Sequence, residues 1–257
     1  MPKFAANLTM LFNEVPFLDR FDEAAKAGFR GVEYLFPYDF EPGELVERLR
    51  RNDLTQVLHN LPAGNWGAGE RGIAVLPDRQ DEFREGVDKA ITYATALGCK
   101  QVNILAGIAK DVDPKEAHRV FVENLKYAAP KLKAAGIKLL IEMINTRDIP
   151  GFFLTSTKQA LDILDEVGSD NLYLQYDIYH MQIMEGDLAR TMEANLAKIA
   201  HIQLADNPGR NEPGTGEINY PFLFGFLDKI GYQGWIGAEY KPAGKTTDGL
   251  SWLPKGA

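Results

Sequence analysis

Short strand-like runs alternate with helix-like runs along this whole chain of 257 residues. Each of eight apolar runs of strand length is followed by a stretch in which apolar residues recur at helical spacing, as Phe83, Val87, Ala90 and Ala94 do. Regular alternation of this kind is typical of parallel strands joined by helices. The sequence therefore predicts an α/β fold, a (β/α)8 TIM barrel that forms a single domain over residues 1–257.

Turn and cap residues set the predicted bounds of each element. Strands are predicted at 4–7, 31–34, 55–60, 101–105, 138–142, 172–177, 200–203 and 235–239. Helices are predicted at 15–27, 42–51, 79–97, 114–134, 157–167, 188–198, 220–230 and 247–253. The glycine-rich loop at 61–78 is long for a compact domain, and loops of that length are more often functional than idle.

An open doubly wound sheet is the alternative fold. Residues 67–72 read Gly-Ala-Gly-Glu-Arg-Gly, which matches the letters of the dinucleotide-binding fingerprint. That fingerprint turns directly from a strand into a helix, whereas these glycines lie several residues past the third strand and precede an apolar run. We therefore interpret them as part of a mobile loop over the barrel mouth.

Four consecutive predicted strands end in a side chain that can bind a metal through oxygen. These residues are Glu142, Asp177, Gln203 and Glu239. Any one of them could simply cap a turn, but the carboxyl ends of barrel strands share one face, so the four would meet there. Three carboxylates close together repel one another and need a cation. The pattern predicts an oxygen-ligated site for a divalent metal, Mg²⁺ or Mn²⁺.

Charge and cysteine content exclude several classes of function. The formal charge of −8 and the pI near 5.1 argue against a nucleic-acid partner, which needs a basic face. The first residues fit neither a signal peptide nor a membrane span, so we expect a cytoplasmic protein without a membrane partner. Cys99 is the only cysteine, which excludes an intramolecular disulfide and a multi-cysteine zinc site.

An oxygen-rich divalent site favours one kind of chemistry. A metal that chelates a carbonyl and the adjacent hydroxyl acidifies the hydrogen on the hydroxyl-bearing carbon. Neighbouring carboxylates can remove that proton and return it. A divalent metal with neighbouring carboxylates is typical of an aldose–ketose isomerase or an epimerase that works through an enediolate. The sequence contains no nucleophile elbow or P-loop that would support a different chemistry.

Segments along nearly the whole chain resemble the hydroxypyruvate isomerase family, a branch of the xylose-isomerase-like TIM barrels. The matching segments are 4–12 (FAANLTMLF), 58–64 (LHNLPAG), 69–72 (GERG), 145–152 (NTRDIPGF), 175–182 (QYDIYHMQ), 201–208 (HIQLADNP), 212–220 (EPGTGEINY) and 239–242 (EYKP). The resemblance implies interconversion of hydroxypyruvate and tartronate semialdehyde. It also implies that Glu142 and Glu239 transfer the protons, and that Glu142, Asp177, Gln203 and Glu239 bind the metal.

The carboxylate of a small keto-acid substrate needs cationic or hydrogen-bonding partners. Arg71, Arg210 and Lys241 lie in loops predicted at the barrel mouth, and we expect them to bind substrate. His59 and His180 end or follow a strand and are assigned to the same task, although a lone histidine is often a packed core residue. The remaining histidines, 118 and 201, are assigned to the surface and to packing.

Several alternatives stay open at this level. The 2-oxo-tetronate isomerases share the opening segment and the Glu-Tyr-Lys-Pro ending, and ketose 3-epimerases share the Asp177-x-x-His180 pairing but commonly place histidine where this chain has Gln203. An inosose-dehydratase-like lyase and an idle sugar-acid binding protein are further alternatives. An endonuclease IV-like nuclease is disfavoured, since four scattered histidines on an acidic chain do not form a zinc cluster. The sequence leaves the oligomeric state open, and a homo-oligomer is compatible with it.

Overall fold

The computed structural model describes residues 2–254, which form eight strands and eight α-helices. The strands, β1 to β8 in chain order, are Lys3–Asn7, Gly31–Glu33, Thr55–Asn60, Gln101–Ile104, Lys138–Glu142, Leu172–Asp177, Ile199–Leu204 and Trp235–Ala238. The helices, α1 to α8, are Arg20–Lys26, Pro42–Arg51, Gln80–Leu97, Pro114–Ala134, Thr157–Val167, Ile178–Met184, Leu188–Ala194 and Tyr220–Ile230.

The strands are hydrogen-bonded in sequence order as a closed barrel, β1 to β8. Strand β8 pairs in parallel with both β1 and β7, and β4 pairs in parallel with β3 and β5. The predicted TIM-barrel fold is therefore confirmed.

Backbone contacts group the described chain into two compact units. One unit runs up to Val57 and resumes at Tyr176, and it holds β1, β2, β7 and β8 with helices α1, α2 and α6–α8. The other unit, Leu58–Gln175, holds β4 and β5 with helices α3–α5. The assignment of residues 1–257 to one domain stays a prediction.

Local sequence explains where most helices begin and end. The side chain of Asp113 accepts from the backbone N–H groups of Lys115 and Glu116 at the start of α4, where Pro114 occupies the first turn. Ser156 caps α5 in the same way through Gln159 N–H. Gly98 ends α3 with a φ of 67°, a conformation that glycine adopts without strain.

Three predicted helices differ from the structure, which also contains one helix that was not predicted. The predicted helix at 188–198 is α7, which ends at Ala194, followed by a 3₁₀ turn at Leu196–Lys198. The first helix is a 3₁₀ turn at Phe17–Asp19 followed by α1, and the terminal helix is a single 3₁₀ turn at Thr246–Gly249. Helix α6 was not predicted, because its seven residues are too few to show helical periodicity and directly continue an apolar strand. Among residues 2–254, none of the helices combines the length and the apolar character needed to span a bilayer.

Candidate active site

A buried hydrogen-bond network surrounds the carboxylate of Glu33 at the end of β2. Gln203 Nε2 donates to Glu33 Oε1 at 2.7 Å, and Asn7 Nδ2 donates to the same oxygen at 3.0 Å. His201 Nε2 lies 2.7 Å from Glu33 Oε2. Glu33 and His201 are completely buried, and the burial of His201 agrees with its predicted packing role. The three nitrogen donors satisfy a charge that would otherwise be costly to bury.

Asp177 ends β6 and also begins helix α6. Its Oδ1 accepts from the backbone N–H groups of Tyr179, at 2.7 Å, and His180, at 3.2 Å. The other oxygen, Oδ2, is buried without a hydrogen-bond partner among the described residues and lies 3.7 Å from His180 Nε2. The residue therefore caps a helix with one oxygen and leaves the second oxygen available for a ligand.

Glu239 follows β8 directly, and two side chains hold its carboxyl group. Arg210 Nη2 donates to Glu239 Oε2 at 2.9 Å, and Asn7 Nδ2 donates to Oε1 at 3.3 Å. Asn7 is itself oriented by the backbone N–H of Thr9, which donates to its Oδ1 at 3.1 Å. The Arg210 guanidinium also lies 5.1 Å from the ring centre of Tyr179, a cation–π contact.

Burial raises the pKa of Glu239 to about 8. The neighbouring guanidinium of Arg210 opposes this shift, whereas the negative charges of Asp177 and Glu33 add to it. A carboxyl group with a pKa near neutrality can both give and accept a proton.

The unit Leu58–Gln175 presents its own buried acid. Glu142 is the last residue of β5 and lies opposite Gln175 in the parallel register with β6. Asn103 Nδ2 on β4 donates to Glu142 Oε2 at 3.0 Å and to Asn60 Oδ1 at 3.2 Å. Glu142 is only 4% exposed, so its charge is shielded from bulk water.

Both histidines predicted to bind substrate are buried. His59 Nδ1 lies 3.1 Å from the carbonyl oxygen of Asn60, and burial lowers the pKa of His59 to about 4. The ring is therefore neutral at physiological pH. His180 is 2% exposed, lies in α6 and packs against the ring of Tyr179.

The long loop after β3 is held together by Arg71 and Arg79. The Arg71 guanidinium lies 4.1 Å from the ring centre of Trp66, and its Nη1 donates to the carbonyl oxygens of Trp66, at 3.1 Å, and Glu70, at 2.7 Å. Arg79 Nη1 donates to Glu70 Oε1 at 2.8 Å. This loop contains two short 3₁₀ turns, at Trp66–Ala68 and Pro77–Arg79.

Two glycines bring the loop backbone close to the segment after β4. A Cβ on Gly72 would overlap the carbonyl oxygen of Leu105, and one on Gly107 would overlap that of Gly72. Both glycines have a positive φ, of 114° and 111°. Glycine is therefore required at both positions by sterics as well as by backbone conformation.

Lys241 is exposed and lies in an open cleft with Thr9, Asn13 and Gly244. Its backbone N–H donates to the carbonyl oxygen of Arg210 at 2.7 Å, which ties two predicted substrate-binding residues together.

No role was predicted for Asn7, at the end of the first predicted strand, for Glu33, within the second, or for Asn103. The signal for all three was available, since each is a polar residue within a short apolar strand. Such residues are buried and need partners.

The donor set fits a metal ion. Within one unit, the buried side chains of Asp177 and His180 offer a carboxylate oxygen and a ring nitrogen that could hold an ion. The unpartnered Oδ2 of Asp177 is the feature that a cation would satisfy. A cation would also reduce the electrostatic repulsion that Glu33 and Asp177 exert on Glu239.

Comparisons with known proteins match nearly the whole chain. It is 56% identical over 254 residues to a hydroxypyruvate isomerase of Escherichia coli strain K12, covering 98% of both chains. It is 49% identical to a 2-oxo-tetronate isomerase of Cupriavidus necator, again covering 98% of both. A crystal structure of a protein described as AP endonuclease, family 2, from Brucella melitensis has a TM-score of 0.97 and 49% sequence identity to this chain, with 98% of each chain covered.

The family model described as xylose isomerase-like TIM barrel matches residues 21–256. Together with the closed eight-stranded barrel, this match establishes that the chain belongs to the xylose isomerase-like TIM barrel family.

Proposed function

We propose that this protein is an isomerase that interconverts hydroxypyruvate and tartronate semialdehyde. One observation carries the proposal: the 56% identity to a hydroxypyruvate isomerase extends over 98% of both chains. The geometry agrees with the proposal, because buried carboxyl groups lie at the carboxyl ends of barrel strands, where TIM-barrel enzymes carry out their chemistry.

We propose Glu142, Asp177, Gln203 and Glu239 as the residues that would hold a divalent cation, Mg²⁺ or Mn²⁺. When bound, such a cation polarises a substrate carbonyl and makes the hydrogen on the adjacent carbon more acidic. The free Oδ2 of Asp177 supports the assignment. The bond from Gln203 Nε2 to Glu33 supports it too, because it turns the amide oxygen of Gln203 away from Glu33.

Glu142 and Glu239 are the proposed proton carriers. In the forward direction, one carboxylate removes a proton from C3 of hydroxypyruvate to give an enediolate, and the other delivers a proton to C2. A further proton moves from the C3 oxygen to the C2 oxygen, so the reaction is balanced without an oxidant. His180, whose Nε2 lies 3.7 Å from Asp177, is the proposed carrier between the oxygens.

The substrate carboxylate is assigned to Arg71, Arg210 and Lys241, with His59 in its neutral form as a hydrogen-bonding partner. Arg71 is only half-buried and is fixed by its stacking on Trp66, so little side-chain entropy would be lost when it binds an anion. Of these cationic residues, Arg210 is the one whose guanidinium already contacts Glu239. It could therefore bind the substrate carboxylate and also interact with the proposed base.

Product analysis tests this function directly. The protein is incubated in D₂O with hydroxypyruvate and, separately, with a four-carbon 2-oxo acid, each with and without a chelator, and products are followed by NMR. We expect isomerisation of hydroxypyruvate with deuterium at C2, abolished by the chelator and restored by Mn²⁺. Conversion of the four-carbon acid alone would transfer the assignment to 2-oxo-tetronate isomerase, the activity for which the Cupriavidus relative is named.

The Brucella structure, described as an AP endonuclease of family 2, raises a second candidate function. To test for endonuclease activity, a DNA duplex with one abasic site is incubated with the protein and Mn²⁺ or Zn²⁺, and strand cleavage is measured. We expect no strand cleavage, because the formal charge of −8 opposes binding to a phosphate backbone. We further propose that the protein acts in the cytoplasm on a small molecule, without a nucleic-acid or membrane partner.

A further inference from the structure

Glu33 is a buried charged residue that the proposed proton transfer does not use. It is completely buried, accepts hydrogen bonds from Asn7 and Gln203, and contacts His201 through its second oxygen. Gln203 is the only proposed metal ligand among these partners. An amide is also the only proposed ligand whose two ends differ, since one end accepts hydrogen bonds and the other donates them.

We propose that Glu33 is a positioning residue that fixes which end of the Gln203 amide faces the cation. An ionised carboxylate only accepts hydrogen bonds, so it can pair with the NH₂ end of Gln203 and not with the oxygen. The 2.7 Å bond from Gln203 Nε2 to Glu33 Oε1 therefore directs the amide oxygen to the opposite side, where it can ligate. This inference rests on the proposed function, because it assumes that Gln203 binds the metal.

The carboxylate of Glu33 is prevented from turning away. Asn7, whose amide is oriented by Thr9 N–H, donates to Oε1, and His201 holds Oε2. On the remaining side lies Gly237 of β8, where a Cβ would overlap both carboxylate oxygens of Glu33. The absence of a side chain at Gly237 thus makes the space that Glu33 fills.

Replacement of Glu33 by glutamine keeps the shape of the side chain but changes what it offers. The N–H groups of Asn7, His201 and Gln203 would then face one oxygen and one NH₂ group. The Gln203 amide would gain a hydrogen bond by turning its own oxygen towards that NH₂ group. Reversal presents NH₂ to the cation and removes a ligand. Loss of a residue that orients a ligand typically lowers metal affinity by about 10-fold to 100-fold, and we expect a loss in this range for Glu33→Gln.

Titration of the metal-free full-length protein with Mn²⁺, followed by electron paramagnetic resonance of the free ion, measures this effect without an activity assay. Glu14→Gln is the matched control, because Glu14 accepts hydrogen bonds from Thr246 and is not a proposed site residue. It undergoes the same chemical change, and we expect its Mn²⁺ affinity to equal that of the unmodified protein. Unchanged affinity in Glu33→Gln would overturn the inference.

A double-mutant cycle separates orientation from charge. If Glu33 acts through the amide, adding Glu33→Gln to Gln203→Ala lowers Mn²⁺ affinity by less than about threefold, since the ligand is already gone. If Glu33→Gln lowered Mn²⁺ affinity by the same factor in the unmodified protein and in Gln203→Ala, Glu33 would act only through its charge. That result would overturn the inference.

Gly237→Ala covers the case in which Glu33→Gln does not fold. This variant keeps every polar group and displaces the Glu33 carboxylate, so we expect at least a tenfold loss of Mn²⁺ affinity, and unchanged affinity would overturn the inference. An unmodified protein that does not bind Mn²⁺ would contradict the proposed function instead, because the inference concerns only differences between variants.

Discussion

The guanidinium of Arg210 donates a hydrogen bond to the carboxyl group of Glu239 at 2.9 Å, although the two residues lie 29 positions apart in the chain. Arg210 has a φ of 55°, an uncommon value for a residue with a side chain, and its carbonyl oxygen accepts from Lys241 N–H. The loop after β7 is therefore hydrogen-bonded to the segment after β8 at both Glu239 and Lys241. The proposed proton carrier is held beside a permanent positive charge.

Replacing Arg210 by glutamine should raise the pKa of Glu239 above its present value of about 8, because Arg210 is the main influence that lowers it. The carboxylate form would then be populated only at higher pH. A ¹³C NMR titration of the metal-free protein measures the shift, with the exposed Lys245→Gln as a control of equal charge change. A pKa that stays the same in Arg210→Gln would contradict the assigned role of this pair.

Replacing Glu142 or Glu239 by glutamine should slow both isomerisation and exchange of the C3 hydrogen of hydroxypyruvate with solvent deuterium. Loss of a general acid or base typically costs about 10²-fold to 10⁴-fold in rate. Exchange is followed by NMR, and Glu14→Gln, which changes a residue outside the site, should exchange at the normal rate. Normal exchange in both glutamine variants at 142 and 239 would refute the proposed acid–base pair.

Asp177→Asn should separate the folding role of this residue from its ligand role. Asparagine caps helices about as well as aspartate, so its oxygen can still accept from Tyr179 and His180 N–H, and we expect the free energy of unfolding to change by less than about 1 kcal/mol. The amide NH₂ would replace Oδ2, however, and Mn²⁺ binding should be lost. Denaturant unfolding and Mn²⁺ titration report the two roles, and retained binding would exclude Oδ2 as a ligand.

The loop after β3 should loosen in acid. The hydrogen bond from Arg79 lowers the pKa of Glu70, and the backbone N–H of Asn65 lowers it further. A depressed pKa means that the stabilisation is fully present above the ordinary value of 4.5 and is lost as the pH falls through the lowered value. Hydrogen exchange of the loop amides at several pH values between 7 and 3 should show this loss. In the Glu70→Gln variant, hydrogen exchange of the same loop amides should not show this loss of protection at low pH. An equally strong pH dependence in that variant would contradict the prediction.

Strand positions were predictable from sequence, because each barrel strand is an apolar run that ends in a polar residue or turn. Helices α2, α4 and α8 match their predicted bounds, since proline in the first turn marks where each begins. Helix α6 and the 3₁₀ turns were not predictable, because they contain too few residues to show a period. Their positions depend on tertiary contacts such as the cap at Asp177.

The candidate ligands were predictable as strand ends, but their hydrogen-bond partners were not. Nothing in the sequence links Glu33 to Gln203, which is 170 positions away, and only the closure of the sheet brings them together. The pairing of Arg210 with Glu239 was equally hidden. Residue type at a strand end indicates the chemistry available, whereas the folded chain determines which group each side chain meets.

The close approach of the backbone at Gly72 and Gly107 limits how the enzyme can be re-engineered. A directed-evolution library for new acids would naturally randomise the loop after β3, which carries Arg71. Any other residue at position 72 would push that loop off the neighbouring segment and take Arg71 with it. Libraries that keep both glycines should yield far more active clones than libraries that vary them, even though neither glycine has a functional group to offer a substrate.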